Sequence, residues 1–320
     1  MAIRSLTGAT TEGLPLSFNR APCDALKPWI ARIGVTAVFM PKGERIECGT
    51  FSEHPIARIN YGARWAATTA EGRNLYDPDG EAMPLYFGPC TKWTPLTAFG
   101  DFQVVSINFV PGGSTPFDVP PQGEALDRIF SGFPLSHDGD VHEDFAPCND
   151  PQAWLARVEA RLLEFIGEID PAKPDPLLGK FECQCLLDPT QSVKAIAEKL
   201  DVNPRTLERI IKREWGVTPN FALRRSRAYD MAAALIDVAA ENESELRLRY
   251  FDQSHLIREI KAFFGMTPRK LAAQPRPLLT ITSEIRQSRR LEILGEEGKD
   301  PPRPWRDPAA EPDAVSRTAS

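Results

Sequence analysis

SVKAIAEKLDVNPRTLERIIKREWG, residues 192–216, reads as two short helices separated by three residues. Ser192 is placed as an N-cap, and Val193, Ile196, Ala197 and Leu200 share one face of the helix that follows. Asp201, Val202 and Asn203 break that period. Asn203 then caps a second helix, Pro204 takes its first position, and Gly216 is placed to end it. Leu207, Ile210 and Ile211 face inward, which leaves Arg205, Thr206, Glu208, Arg209 and Lys212 outside. Two helices joined this tightly form a helix-turn-helix, whose second member can lie in the DNA major groove. Arginine bonds a guanine edge with two N–H groups, and lysine or threonine can hold phosphates or bases. A helical hairpin with a solvated charged face has the same pattern, so this unit alone leaves both readings open.

Further along, ESELRLRYFDQSHLIREIKAFFGMTP at residues 243–268 carries a second unit. Asp252 caps a helix whose outer side offers Gln253, Ser254, His255, Arg258 and Lys261. A long helix over Phe221–Ala240, with Ala228, Met231, Leu235 and Val238 as its seam, lies between the two units. Both units end alike, IIKREWGVTP and EIKAFFGMTP, which makes them an internal repeat. In these residues the chain resembles the DNA-binding domain of the AraC/XylS transcription regulators, over about 80 residues. The resemblance implies two recognition helices from one chain in successive major grooves. By motif position it puts base-facing roles on Arg205, Glu208 and Arg209, then on Gln253, Ser254, His255 and Arg258. The family's small residue and glycine in the second scaffold helix are Glu245 and Arg249 here. That departure points to a less rigid docking of the unit, or to Arg249 reaching a phosphate.

Upstream, GVTAVFMPKGE, HPIARINYG, EAMPLYFGPC and FQVVSINFVPGG are short apolar runs between turn residues, the pattern of an antiparallel β sandwich or barrel. A short helix is expected around Glu124–Phe130. The fold class is therefore α+β, an antiparallel β domain followed by an all-α domain. The expected divisions are 1–149, 150–176, 177–275 and 276–320. They correspond to a β-rich sensor, a helix with its PAKPDP linker, the two helix-turn-helix units, and a polar, largely disordered tail. In the second division Asp150 and Pro151 start a helix on which Leu155, Val158, Leu162, Phe165 and Ile169 form a seam. That seam suits packing on the β domain or dimerisation. By layout and the FVPGG turn, the β domain resembles the cupin-like sensor of some of these regulators.

The net charge of -6 divides unevenly: +4 over residues 192–275, -10 over 1–191 and zero over 276–320. A mildly basic module on an acidic body suits selective DNA binding and excludes a polybasic coating protein. No apolar run reaches membrane-spanning length, and the first residues lack the apolar core of an export signal, so no membrane role and a cytoplasmic address are expected. The six cysteines make no C-x-x-C pair and are read as ordinary thiols, with no metal and no cofactor. His137 and His142 stand in an acidic loop without the close pair and Glu of a metal cupin. His54 reads as a turn or core residue. Tyr61, Trp65, Tyr86, Phe87, Trp93 and Phe102 suit a sandwich core, or else a pocket. No H-E-x-x-H, Walker A or G-x-S-x-G motif is present, so no enzyme is expected. The expected partners are double-stranded DNA, a small effector or a second copy of the chain, and RNA polymerase if the protein activates. The rival reading is a cupin-like binding protein or metal-dependent enzyme with a helical assembly domain.

Overall fold

The computed structural model describes residues 17–40, 42–78, 82–132, 141–236, 246, 249–274 and 276–293. Its first half is antiparallel β. Strands β1 (Phe18–Arg20), β2 (Ile30–Val38), β9 (Phe102–Phe109), β4 (Ile56–Gly62), β7 (Met83–Phe87) and β10 (Ile129–Ser131) lie side by side in that order. A second sheet holds β3 (Ile46–Thr50), β8 (Thr94–Ala98), β5 (Trp65–Thr69) and β6 (Gly72–Tyr76). The six-stranded sheet is covered on both faces. On one side Val38, Leu85, Phe87, Phe102 and Val104 meet Trp65 and Leu96 of the smaller sheet. On the other, Ile33, Val35, Ile59, Val105 and Ile107 meet helix α3 (Pro151–Ile169). Double coverage explains why β2 is buried at almost every position rather than at alternate ones.

Helix α3 starts as the sequence predicts, with the Asp150 carboxylate accepting from the Gln152 N–H at 2.9 Å. Its seam of Leu155, Val158, Leu162 and Phe165 is buried against the chain's own sheet, with Ile169 half-buried. Dimerisation through that seam is thereby ruled out, since its apolar residues are already covered. The helix expected over Glu124–Phe130 is shorter and earlier, α1 (Gln122–Ala125), and the remainder joins the sheet as β10. A further turn of helix, α2 (Val141–Asp144), packs on α3.

The second half is helical. Helices α4 (Pro176–Leu187), α5 (Val193–Lys199), α6 (Pro204–Trp215) and α7 (Pro219–Leu235) pack around Phe181, Ile196, Leu207, Ile211, Trp215 and Leu223. Helices α8 (Gln253–Phe264) and α9 (Pro268–Ala272) close a second core on α7, through Tyr229, Leu256, Ile260 and Phe264. The described part of the linking helix ends at Leu235. Val238, Ala240 and most of the scaffold segment at 243–249 lie outside the described residues.

One expectation is overturned. The tail placed from residue 276 begins with a helix, α10 (Pro277–Ile293), buried along most of its length. It packs against β3, β2 and α4, between the two halves of the molecule. The tail beyond it lies outside the described residues. Its sequence carries no one-sided apolar stripe because partners surround it, and Thr280, Thr282, Ser283, Gln287 and Ser288 are buried beside Leu279 and Ile285. The β half and the helical half also share a core directly. The Phe51 ring lies 5.1 Å from Tyr229 and 4.8 Å from Phe264. No helix among the described residues is long and apolar enough to cross a membrane.

Candidate nucleic-acid interface

The two predicted outer helix faces are built from capped helices. In α6 the Asn203 amide oxygen accepts from the Arg205 N–H at 2.9 Å, Pro204 fills the first position, and Gly216 closes the helix at φ 71°. The Ser192 hydroxyl caps α5 by accepting from the Ala195 N–H at 3.1 Å. Leu207, Ile210, Ile211 and Trp215 point into the core. Arg205, Glu208, Arg209 and Lys212 are exposed opposite them, and Thr206 is half-buried. In α8 the Asp252 carboxylate accepts from the His255 N–H at 2.6 Å, and Gly265 closes the helix at φ 68°. Gln253, Ser254, Arg258 and Lys261 are exposed. His255 is turned partly inward: its ring meets Tyr250 edge-on at 5.6 Å, its Nδ1 accepts from the Phe251 N–H at 3.4 Å, and its Nε2 lies 4.0 Å from Glu259. That imidazole braces the turn before α8 as well as flanking its outer face.

Three ion pairs that sequence reading did not find hold the second unit in place. Buried Glu259 of α8 accepts from Arg224 at 2.7 Å and from Arg227 at 3.1 Å, both on α7. Arg249, a candidate for phosphate contact, instead donates to the fully buried Asp230 of α7 at 2.7 Å. The atypical Arg249 thus ties the scaffold segment to the linking helix. Phe251, 93% exposed beside Gln253 and Ser254, was also missed, because a single aromatic in a turn has no periodic signal.

Residues 196–274 match a family model described as a helix-turn-helix domain. The chain carries an AraC-type helix-turn-helix domain. No curated protein sequence matches the chain. Among solved structures it is similar to ToxT from Vibrio cholerae, with 10% identity over 75% of this chain and 98% of that one and a TM-score of 0.45. The unsaturated fatty acid-bound ToxT from Vibrio cholerae strain SCE256 is similar at 8% identity over 75% and 94%, with a TM-score of 0.43. The AraC-like transcriptional activator CuxR is similar at 11% identity over 66% and 84%, with a TM-score of 0.28.

Behind the AraC-type domain, where it meets the β half and α10, lies a cleft with about 670 Å³ of empty space, part of it open to solvent. Its wall is apolar around Phe51, Ile56, Phe109, Leu186, Trp215, Tyr229 and Ile285, and polar at Arg32, His54, Glu182 and Arg289. His54 belongs to this wall rather than to a simple turn. Its ring meets Trp215 edge-on at 4.7 Å, and its Nε2 lies 3.6 Å from Glu182. Burial, reinforced by the charges of Arg225, Arg289 and Arg286, holds the imidazole well below its usual pKa, so it is neutral at pH 7. Burial pushes the Glu182 carboxyl up, with Arg289 opposing it. The Trp215 Nε1 and Arg289 Nε groups are buried donors with no partner among the described residues. The aromatics weighed as pocket lining do not line this cleft. Tyr61, Trp65, Tyr86, Phe87 and Phe102 are buried in the sheet cores, with Trp93 half-buried at their margin. Residues 137, 138 and 140 of the acidic loop lie outside the described residues, and His142 sits in α2 against Tyr61.

Proposed function

We propose that this chain is a sequence-specific regulator of transcription that reads two half-sites of double-stranded DNA with α6 and α8. The observation that carries this is the pair of capped helices in a matched helix-turn-helix domain, each presenting exposed basic and polar side chains. Arg205, Arg209 and Arg258 are assigned to guanine edges or phosphates. Lys212 and Lys261 hold phosphates, and Gln253, Ser254, Glu208, Thr206 and His255 contribute base contacts. Successive major grooves would take the two helices, one turn of DNA apart. Selecting bound sites from random DNA tests this. Enrichment of a two-part site, bound less tightly as salt rises, supports it, and absence of any salt-sensitive shift overturns it in favour of a binding protein or enzyme with a helical assembly domain.

The cleft at the junction is the assigned effector site. Its apolar wall, and the unpartnered donors Trp215 Nε1 and Arg289 Nε, suit a small apolar molecule bearing hydrogen-bond acceptors. Because the wall draws on both halves, ligand screening requires the full chain. Residues 1–170 alone lack Glu182, Trp215, Tyr229 and Arg286. Quenching of Trp fluorescence together with a rise in unfolding temperature for one class of metabolite is the expected result. A second copy of the chain would pair through a surface other than the α3 seam, and contact with RNA polymerase belongs to the activator form of this reading.

A further inference from the structure

The β half grips both recognition units, at two points that are joined to each other. At the first, Gly216 at the end of α6 lies so close to segment 122–128 that a Cβ there would come within 2.6 Å of the Gln122 carbonyl oxygen. Leu126 of that segment packs into the first helix-turn-helix core, and the nearby Thr115 hydroxyl donates to Glu214 of α6 at 3.1 Å. At the second point, the Trp93 N–H donates to the Phe263 carbonyl of α8 at 2.6 Å. The same segment, 88–93, presents the Cys90 carbonyl to the buried Arg225 of α7 at 2.9 Å. One β-half segment therefore holds the first recognition unit, and another holds the second together with the linking helix.

Asp127 fastens these two segments together. Its carboxylate accepts from the Thr91 N–H at 2.7 Å, from the Thr91 hydroxyl and, at 3.3 Å, from the Lys92 N–H. Its own N–H donates to the Pro89 carbonyl at 3.0 Å, and the Gly88 N–H donates to the Arg128 carbonyl at 3.0 Å. The residue is held at φ 56°, a conformation asparagine and aspartate tolerate better than other side chains with a Cβ. We propose that this bracket, segments 88–93 and 122–128 fastened by Asp127, sets the separation of the two recognition helices and so the half-site spacing the protein accepts. The inference rests on the two-helix DNA reading above and makes Asp127 a positioning residue remote from the base-facing side chains. A second tie between the units matters because a single linking helix, α7, joins them within the helical half, whereas two ties fix both distance and rotation. Each base pair added between half-sites moves the second by about 3.4 Å along the DNA and about a tenth of a turn around it, a displacement a rigid pair of helices cannot follow.

The test uses the full chain and a site selected from random DNA, with one to three base pairs inserted or removed between its halves. Wild type is expected to lose about tenfold or more in affinity for one inserted base pair, the scale of a lost base contact. Asp127→Gly removes the carboxylate and eases the backbone. It should bind the selected site within about threefold of wild type while its spacing penalty falls to about threefold or less. Asp127→Asn keeps an acceptor for the Thr91 N–H and should restore the wild-type spacing profile. An Asp127→Gly protein that keeps the wild-type penalty, or weakens equally at every spacing, overturns the bracket. If that variant does not fold, Thr91→Val, which removes the hydroxyl bond, is read against the same outcomes. A wild-type chain that binds one half-site as tightly as two overturns the two-helix reading itself, visible before any variant is made, and the bracket falls with it.

Discussion

Arg258 and Arg286 show how differently one residue type acts at two depths. Arg258 is exposed on α8, free to meet a base edge, and Arg258→Ala should cost about 1–3 kcal/mol on the selected site while relaxing preference at one base pair. An unchanged ratio between that site and random DNA removes the assignment. Arg286 is buried at the junction. It bonds Glu53 of the β half and Asp230 of α7, each at 2.5 Å, and lies 4.8 Å over the Tyr229 ring. Arg286→Met takes the guanidinium from both carboxylates, leaving Asp230 only its bond to Arg249 among the described residues, and should cost about 3–5 kcal/mol of stability, read by denaturant unfolding. His54 adds a pH dependence. Its folded pKa is depressed, so below about pH 6.5 the unfolded chain takes up a proton that the folded chain refuses, and stability falls as pH drops from there. His54→Gln should flatten that slope, and an unaltered slope assigns it to another group. The exposure of Arg258 on the outer face of α8 was legible in the sequence because a capped helix fixes which way its side chains point. Arg286 was not, since its partners lie 233 and 56 residues away.

At the level of elements, α5, α6 and α8 were readable to their ends because the cues are local. Ser192, Asn203 and Asp252 each accept the N–H their position requires, and Gly216 and Gly265 take the left-handed angles that stop a helix. The β strands were readable as strands, but not their order. Nothing within β9 says that β2 and β4 flank it. Helix α10 escaped notice because it obeys no periodic rule: a helix enclosed on all sides can be polar wherever a partner waits. A chain stopped before Pro277 should unfold at lower denaturant, in two transitions instead of one, because the β half and the helical half lose the element set between them. A single transition at the wild-type midpoint would show that α10 adds no coupling.

For the molecule as a whole, the sequence pattern suggested separate modules on a linker, and the structure has them sharing a core through Phe51 and Cys90. Packing between halves leaves no composition signal, since each contributing residue reads as core of its own half. Residues 177–293 should still fold, because Leu207, Ile211, Trp215, Ile260 and Phe264 lie inside the helical half, but with lower stability than the full chain. A natively unfolded fragment by circular dichroism would show that the β half is required for folding. The acidic body, -10 over residues 1–191, keeps nonspecific attraction to DNA weak. Affinity should fall steeply with salt, and Lys261→Ala should reduce that slope by about one if the lysine holds a phosphate.

The position of α10 in the chain fixes an order of events during synthesis. Every segment that helix touches is translated before it, at roughly 5–20 residues per second. A ribosome that has not yet reached Pro277 has already made the sheets, both recognition helices and the bracket. The arginine that joins Glu53 to Asp230 arrives later. The two halves can thus already meet through Phe51, Tyr229 and Phe264 before α10 is made, and a nascent chain has the outer faces of α6 and α8 before it has the finished junction cleft.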